Sequence, residues 1–147
     1  MAVQPYRGMS AIADQLRQRT FRYFLRVLAL CKEFPDNWEA REVGRQLLRA
    51  GMGVAGNYWS ACRARSSREF IAKLGVAVDE ADESVLWLTA VVQGKIRENA
   101  EAKDLLGEGS EIRAILSKSH KTARENRPKK TQKELTNSPI RPFTKSI

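Results

Sequence analysis

Pro35 and Pro128 are separated by 92 residues, none of them proline. Proline removes a backbone donor and clashes with the preceding helical turn, so a proline-free run of this length favours long helices. The apolar positions agree. Phe21, Phe24, Leu25, Leu28 and Cys31 recur at steps of mostly three and four residues, as do Val43, Leu47, Ala50, Val54 and Tyr58. The longest stripe is Phe70, Leu74, Ala77, Ala81, Val85, Leu88 and Val92. These are helical spacings, and no period-two alternation rivals them.

Four helices are predicted. The first runs from about Ala13 to Phe34, where Pro35 stops it, and the second from about Trp38 to Ala64. Ser66 followed three residues later by Glu69 has the form of a capping box, which starts the third helix near Ser67. Gly94 suits the residue just past its end. The fourth spans about Ala100 to Glu125 with Asn99 as N-cap; Gly107 and Gly109 weaken its first half by about 1 kcal/mol each relative to alanine. Helices two and three would each be roughly 40 Å long. Long helices joined by short links form an all-α, antiparallel up-and-down four-helix bundle. The predicted organisation is a flexible N-terminus over 1–12, the bundle over 13–126, and a disordered basic tail over 127–147, where Pro, Lys, Thr and Ser replace apolar residues.

Composition narrows the function classes. The longest uncharged stretches, Ala50 to Cys62 and Ser84 to Gly94, fall short of the roughly 18 apolar residues that a spanning helix requires, so no membrane role is expected. Asp14 interrupts the short stretch after Arg7, so the pattern of a secretory leader is not expected either. Two cysteines, Cys31 and Cys62, fall inside helical patterns and read as buried thiols in a reducing cytoplasm, with a disulfide as the alternative. His120 is the only histidine. Without C-x-x-C, H-x-x-x-H or Glu-x-x-His, zinc and di-iron sites lack ligands, so no metal, cofactor or enzymatic activity is expected.

The net charge is +9, from 26 Lys and Arg against 17 Asp and Glu, which makes a polyanion a natural partner. Residues 127–147 supply +5 of it through Arg127, Lys129, Lys130, Lys133, Arg141 and Lys145 against Glu134. Lys129, Lys130 and Lys133 are candidate nucleic-acid contacts. In the body, Arg63, Arg65, Arg68 and Lys73 gather where the second helix gives way to the third. They are candidate phosphate contacts, helped by the exposed amides of a helix N-terminus, with an ordinary solvated loop as the alternative. Tyr58 and Trp59 lie one turn earlier and offer stacking on a base, although Tyr58 is in phase with the core stripe. Trp38 and Trp87 read as packing residues.

Two further motifs have structural readings. Gly51-Met52-Gly53-Val54-Ala55-Gly56 spells G-x-G-x-x-G, but dinucleotide binding needs a preceding strand, and here a helical stripe runs through it. Close helix packing is the better reading. Asp79, Glu80, Asp82 and Glu83 form an acidic patch that general acid–base chemistry or a metal could use. A hairpin turning near residue 64 instead places Arg49 opposite Glu80, and Arg45 near Glu83 or Ser84. Because Arg41, Arg45 and Arg49 form one self-repelling row, inter-helix ion pairs explain both clusters.

The stretch Asn57-Tyr58-Trp59-Ser60-Ala61-Cys62-Arg63-Ala64-Arg65-Ser66 resembles a known family. So do Phe70-Ile71-Ala72-Lys73-Leu74-Gly75, Glu80-Ala81-Asp82-Glu83-Ser84, Trp87-Leu88 and Lys121-Thr122-Ala123-Arg124. The likeness covers about residues 20–126 and is to the small bacterial four-helix-bundle proteins called 23S rRNA intervening-sequence proteins. It implies a left-handed antiparallel bundle that assembles as a ring-shaped homopentamer, with no established catalytic residues. A related branch, the accessory variability determinant proteins of diversity-generating retroelements, forms a basic barrel that binds reverse transcriptase and RNA. This chain departs from the pattern in its glycine-rich second helix, in Gly107 and Gly109, and in its long basic tail.

Three functions follow as expectations. The first is a non-enzymatic, oligomeric adaptor for structured RNA, accessory to a reverse transcriptase of a diversity-generating retroelement. The alternative is a structural or protein-interaction bundle whose basic tail binds polyanions non-specifically. The third, an enzyme using the carboxylates of helix three, has the least support. Apolar residues beside the main stripe, Ile71 and Leu86, suggest surface for self-association.

Overall fold

The computed structural model describes residues 10–127. These form α1 (Ala11–Lys32), α2 (Trp38–Cys62), α3 (Ser67–Gln93) and α4 (Ala100–Glu125). The predicted tail from Pro128 onward, with Lys129, Lys130 and Lys133, lies outside the described residues, as do residues 1–9. Each helix opens on a side-chain cap: Ser10, Asn37, Ser66 and Asn99 accept a hydrogen bond from the amide three residues on. This satisfies donors that the first turn leaves without a partner. The capping box takes a variant form, because the Glu69 carboxylate receives the Arg65 amide at 2.9 Å while Ser66 Oγ receives the Glu69 amide at 3.1 Å. Gly94 is the cap of α3 with right-handed φ, and the left-handed residue is Lys95 at φ 57°. Glycine is needed at 94 because a Cβ there would stand 2.6 Å from the Ala90 carbonyl.

Each helix packs on its chain neighbour, and α4 closes on α1, giving the up-and-down bundle. The buried positions show its internal period. One row of them is Leu16, Thr20, Tyr23, Val27 and Leu30 in α1, with Arg17 buried beside it, and Leu47, Gly51, Val54, Tyr58 and Ala61 in α2, with Ala40, Ala50 and Ala55 also buried. In α3 they are Leu74, Ala77, Ala81, Ser84, Leu88 and Val91, and in α4 Ala102, Leu105, Gly109, Ile112 and Leu116. All four rows alternate steps of three and four, a mean of 3.5, which is the spacing of a left-handed supercoil. Two predicted stripes are corrected by this. Late in α3 the core takes Ser84 and Val91, leaving Val85 and Val92 half-buried. In α1 the predicted stripe lies off the core: Leu25 is exposed, while Phe21, Phe24, Leu28 and Cys31 are half-buried on the flank.

Small and polar residues on this repeat have specific partners. Tyr23 reaches from α1 across the core to α3, its hydroxyl 2.8 Å from Ser84 Oγ. Ser84 gives its own proton to the Ala81 carbonyl at 2.8 Å, so Tyr23 is the donor. Gly109 of α4 makes room, since a Cβ there would lie 2.6 Å from the Tyr23 hydroxyl. Burial pushes the Tyr23 phenol up to about 12. Gly51 admits Val27 of α1 and Gly53 lies under the Glu80 side chain of α3, so the glycine motif serves helix packing.

The α1–α4 seam is held by charge. The Arg19 guanidinium binds Glu108 and Glu111, and Arg26 binds Glu101 at 3.1 Å and Asp104 at 2.6 Å. Beyond them Arg97 meets Glu33 at 3.5 Å. Solvent-exposed pairs are worth only about 0–1 kcal/mol each, so their main effect is to set register.

The glycines of α4 provide an internal control. Gly107→Ala meets nothing within 4 Å and should stabilise the chain by about 0.5–1 kcal/mol in urea unfolding. Gly109→Ala gains the same propensity but collides with Tyr23, and should destabilise by about 1–3 kcal/mol. Adding Tyr23→Phe removes the oxygen that collides, so the double variant should lose less than the sum of the singles.

Candidate nucleic-acid interface

The alternating chain direction brings the start of α1, the end of α2, the start of α3 and the end of α4 to one end of the bundle. Cross-helix contacts there fix the register: the Tyr58 hydroxyl donates to the Ala13 carbonyl at 3.4 Å, and His120 of α4 packs on Gly75 of α3. Arg63 caps α2, Arg65 lies in the link, and Arg68 stands in the first turn of α3. All three are exposed. The last turns of α4 add Lys118, Lys121 and Arg124, with Arg127 just beyond, also exposed. Arg65, Arg68, Lys118, Lys121 and Arg124 close no ion pair among the described residues. Lys73 differs, being turned toward Glu69 at 3.7 Å. The Glu69 carboxyl is held below its ordinary range, first by the Arg65 amide and then by the charges of Lys73 and Arg65.

The α4 cations are the part that residue-by-residue reading missed as a site. The signal was available, because an antiparallel bundle with an even number of helices must bring its last turn beside the α2–α3 link. Lys129, Lys130 and Lys133 follow Arg127 in sequence and lie outside the described residues.

The aromatic pair beside the arginines faces inward. Tyr58 is buried. Trp59 donates its indole N–H to the Arg17 carbonyl at 3.0 Å and has the Arg17 guanidinium over its face at 4.0 Å and Phe21 at 5.4 Å. The predicted stacking surface is thereby spent on α1. Trp38 is the reverse case: 71% exposed, it is not the packing residue predicted, because the first position of α2 points away from the core. Trp87 does pack against the core.

The pairs predicted between α2 and α3 take other partners. Arg45 lies 3.3 Å from Glu42 in its own helix, Arg41 lies 2.6 Å from Asp36, Asp82 meets Arg113 of α4 at 3.0 Å, and Glu83 accepts from the Trp87 indole at 3.4 Å. Register is the cause. Glu80 lies over Gly53 rather than opposite Arg49, one turn from the simple hairpin estimate. Arg49 still attracts Glu80 through space, but Glu80 Oε2 is buried without a hydrogen-bond partner. Desolvation therefore raises the Glu80 carboxyl, with Glu83 and Asp79 adding to the rise and Arg49 opposing it. Among the described residues no group of three or more His, Cys, Asp or Glu could hold a metal ion, and no helix is long and apolar enough to cross a membrane. Cys31 and Cys62 are free and half-buried at opposite ends, and burial pushes the Cys31 thiol up to about 11.

Residues 14–118 match the model of the 23S rRNA-intervening sequence protein family. The chain belongs to that family. A crystal structure of a protein of unknown function from the S23 ribosomal protein family of Bacteroides thetaiotaomicron shares the fold. It aligns over 74% of this chain and 97% of its own, with a TM-score of 0.68 and 23% identity. No curated protein matches.

Glu80 yields a pH prediction. Its raised carboxyl binds a proton more tightly in the folded than in the unfolded chain, so it costs stability as pH rises through the folded value. Glu80→Gln should raise Tm at neutral pH, and the two melting curves should converge below about pH 4, where both chains carry a neutral side chain.

Proposed function

We propose that this family member is a non-enzymatic RNA-binding adaptor whose reading surface is the basic end of the bundle. The observation that carries the reading is convergence. Arg63, Arg65 and Arg68 at and beside the α2–α3 link and Lys118, Lys121 and Arg124 of α4 with Arg127 just beyond share one end, with half-buried Glu69 and exposed Glu125 as the nearby acids of α3 and α4. Such a cluster attracts phosphates and releases their counterions on binding. The family's name, a 23S rRNA-intervening sequence protein, supports RNA as the polyanion. Lys129, Lys130 and Lys133 extend the same run of charge in sequence, and structured RNA is the proposed partner.

The reading includes a homo-oligomer, a pentamer by resemblance. Its support is apolar surface left open: Leu25 is 43% exposed, Met52 48% and Leu86 59%, in addition to Trp38. Light scattering should give a mass several times the 16.6 kDa of one chain; a monomer mass refutes this part. A role beside a reverse transcriptase of a diversity-generating retroelement is the finest form of the proposal and rests on sequence resemblance. Co-purification with such an enzyme tests it.

The central experiment is binding of a labelled structured RNA across a salt series. Replacing Arg63, Arg65 and Arg68 by Glu should weaken binding and lower the log–log salt slope by about 0.7–0.9 for each phosphate that is no longer neutralised. Deleting residues 127–147 should leave measurable affinity. If the triple variant binds like wild type and the deletion abolishes binding, the bundle is an interaction scaffold with a non-specific basic tail, the second reading.

A further inference from the structure

The basic end also holds a cleft that phosphate contacts alone do not use. It lies between the first turn of α1, the last turn of α2 and the start of α3, with a volume of about 410 Å³. Tyr58, Ala61, Cys62 and Phe70 form its walls, and Arg65 and Ser67 stand at its edge. The polar groups of the walls are already engaged: the Tyr58 hydroxyl is turned to the Ala13 carbonyl, and the Arg65 amide to Glu69. What remains open is an apolar slot with the Arg65 guanidinium beside it, at the end of the bundle that carries the cations.

We infer that this cleft receives an unpaired base of the bound RNA, its flanking phosphates lying on Arg65 and Arg68. The inference rests on the RNA-binding reading above and deepens it. Charge selects the occupant, because an apolar slot with Arg65 at its edge, on the cationic end of the bundle, favours a planar apolar group that carries negative charge. A nucleotide joins both properties in one unit. The volume falls within the range of sites that enclose small organic groups, about 300–1,000 Å³. Bases stacked within a duplex cannot enter, so the partner is an RNA with a loop, bulge or overhang, where unstacked bases are available. With Trp59 committed to Arg17 and Phe21, this slot takes over the role that the sequence alone suggests for that indole.

The test uses the full chain and two labelled RNAs. One is a blunt duplex of about 16 base pairs and the other is the same duplex with about three unpaired nucleotides at one end. Wild type should prefer the overhang by about tenfold, the scale of one base stacked on an aromatic wall. Ser67→Leu, at an exposed edge position, should fill the slot and abolish that preference while blunt-duplex affinity stays within about twofold of wild type. Ala64→Leu, from another wall of the cleft, is the second variant, and circular dichroism and Tm confirm that each folds. Equal affinity of wild type for the two RNAs overturns the cleft assignment and leaves phosphate binding standing. A folded cleft variant that keeps the full preference also overturns it. Failure of both RNAs to bind overturns the RNA-binding reading and the cleft with it.

Discussion

A tyrosine hydroxyl in the middle of a helical bundle must find a partner, and the bond from Tyr23 to Ser84 organises much of this molecule. An unsatisfied buried hydroxyl would cost a few kcal/mol, so sliding α1 against α3 by even one residue is penalised. Because α1 and α3 are diagonal in the bundle, the bond crosses the core, and Gly109 is the space on α4 that lets it cross. One contact therefore constrains the relative height of three helices. The charged α1–α4 seam repeats the constraint at lower energy: Arg19 with Glu108 and Arg26 with Glu101 keep the same offset. Once the helices are in that register, the α2–α3 link and the last turns of α4 lie toward the same end of the bundle, and their cations share it.

The helices were legible because their caps and breaks are local. Ser66, Asn99 and Pro35 act within one turn, and each helix begins or ends within about two residues of where those signals put it. The core face was harder to read. In α1 the buried row includes Thr20 and Tyr23, both with polar atoms, while the flank carries Phe21, Phe24 and Leu28; hydrophobicity alone selects the flank. Thr20 is accommodated because its hydroxyl donates to the Arg17 carbonyl at 2.9 Å. Late in α3 the same masking occurs, since Ser84 belongs to the core and Val85 does not. A strict 3.5-residue period was present throughout, but a polar or glycine residue stands on it in every helix: Thr20, Gly51, Ser84 and Gly109.

Long-range electrostatics was the least legible layer. Charge rows on α2 and α3 suggested one another as partners, yet a pairing estimate centred on the link misses by a turn when Glu80 settles over Gly53. At one turn of offset a guanidinium that could have closed an ion pair acts only through space, as Arg49 does. The site was half legible for a related reason. Arg63, Arg65 and Arg68 are adjacent in sequence and visible as a cluster; Lys118, Lys121 and Arg124 join them only through the antiparallel return of α4. Trp59 looked available because its neighbours in sequence are polar or small, whereas its neighbours in space are Arg17 and Phe21.

The strength of the basic end comes from where the acids are spent as much as from where the cations stand. Glu101, Asp104, Glu108 and Glu111 lie on one face of α4 and are bound to Arg19 and Arg26, while Asp82 is bound to Arg113. Most of the acidic residues of the bundle are thus neutralised along its length, on the middle turns and toward the other end. Past Glu111 the fourth helix carries one further acid, Glu125, against Arg113, Lys118, Lys121 and Arg124. A chain whose body is only modestly cationic in total therefore presents a concentrated potential at one end. Unpaired charges within about a Debye length of each other, 8–10 Å at physiological salt, add their fields, whereas paired ones cancel. Moving the same acids to the basic end would leave the net charge unchanged and remove the concentrated potential on which the proposed reading of phosphates depends.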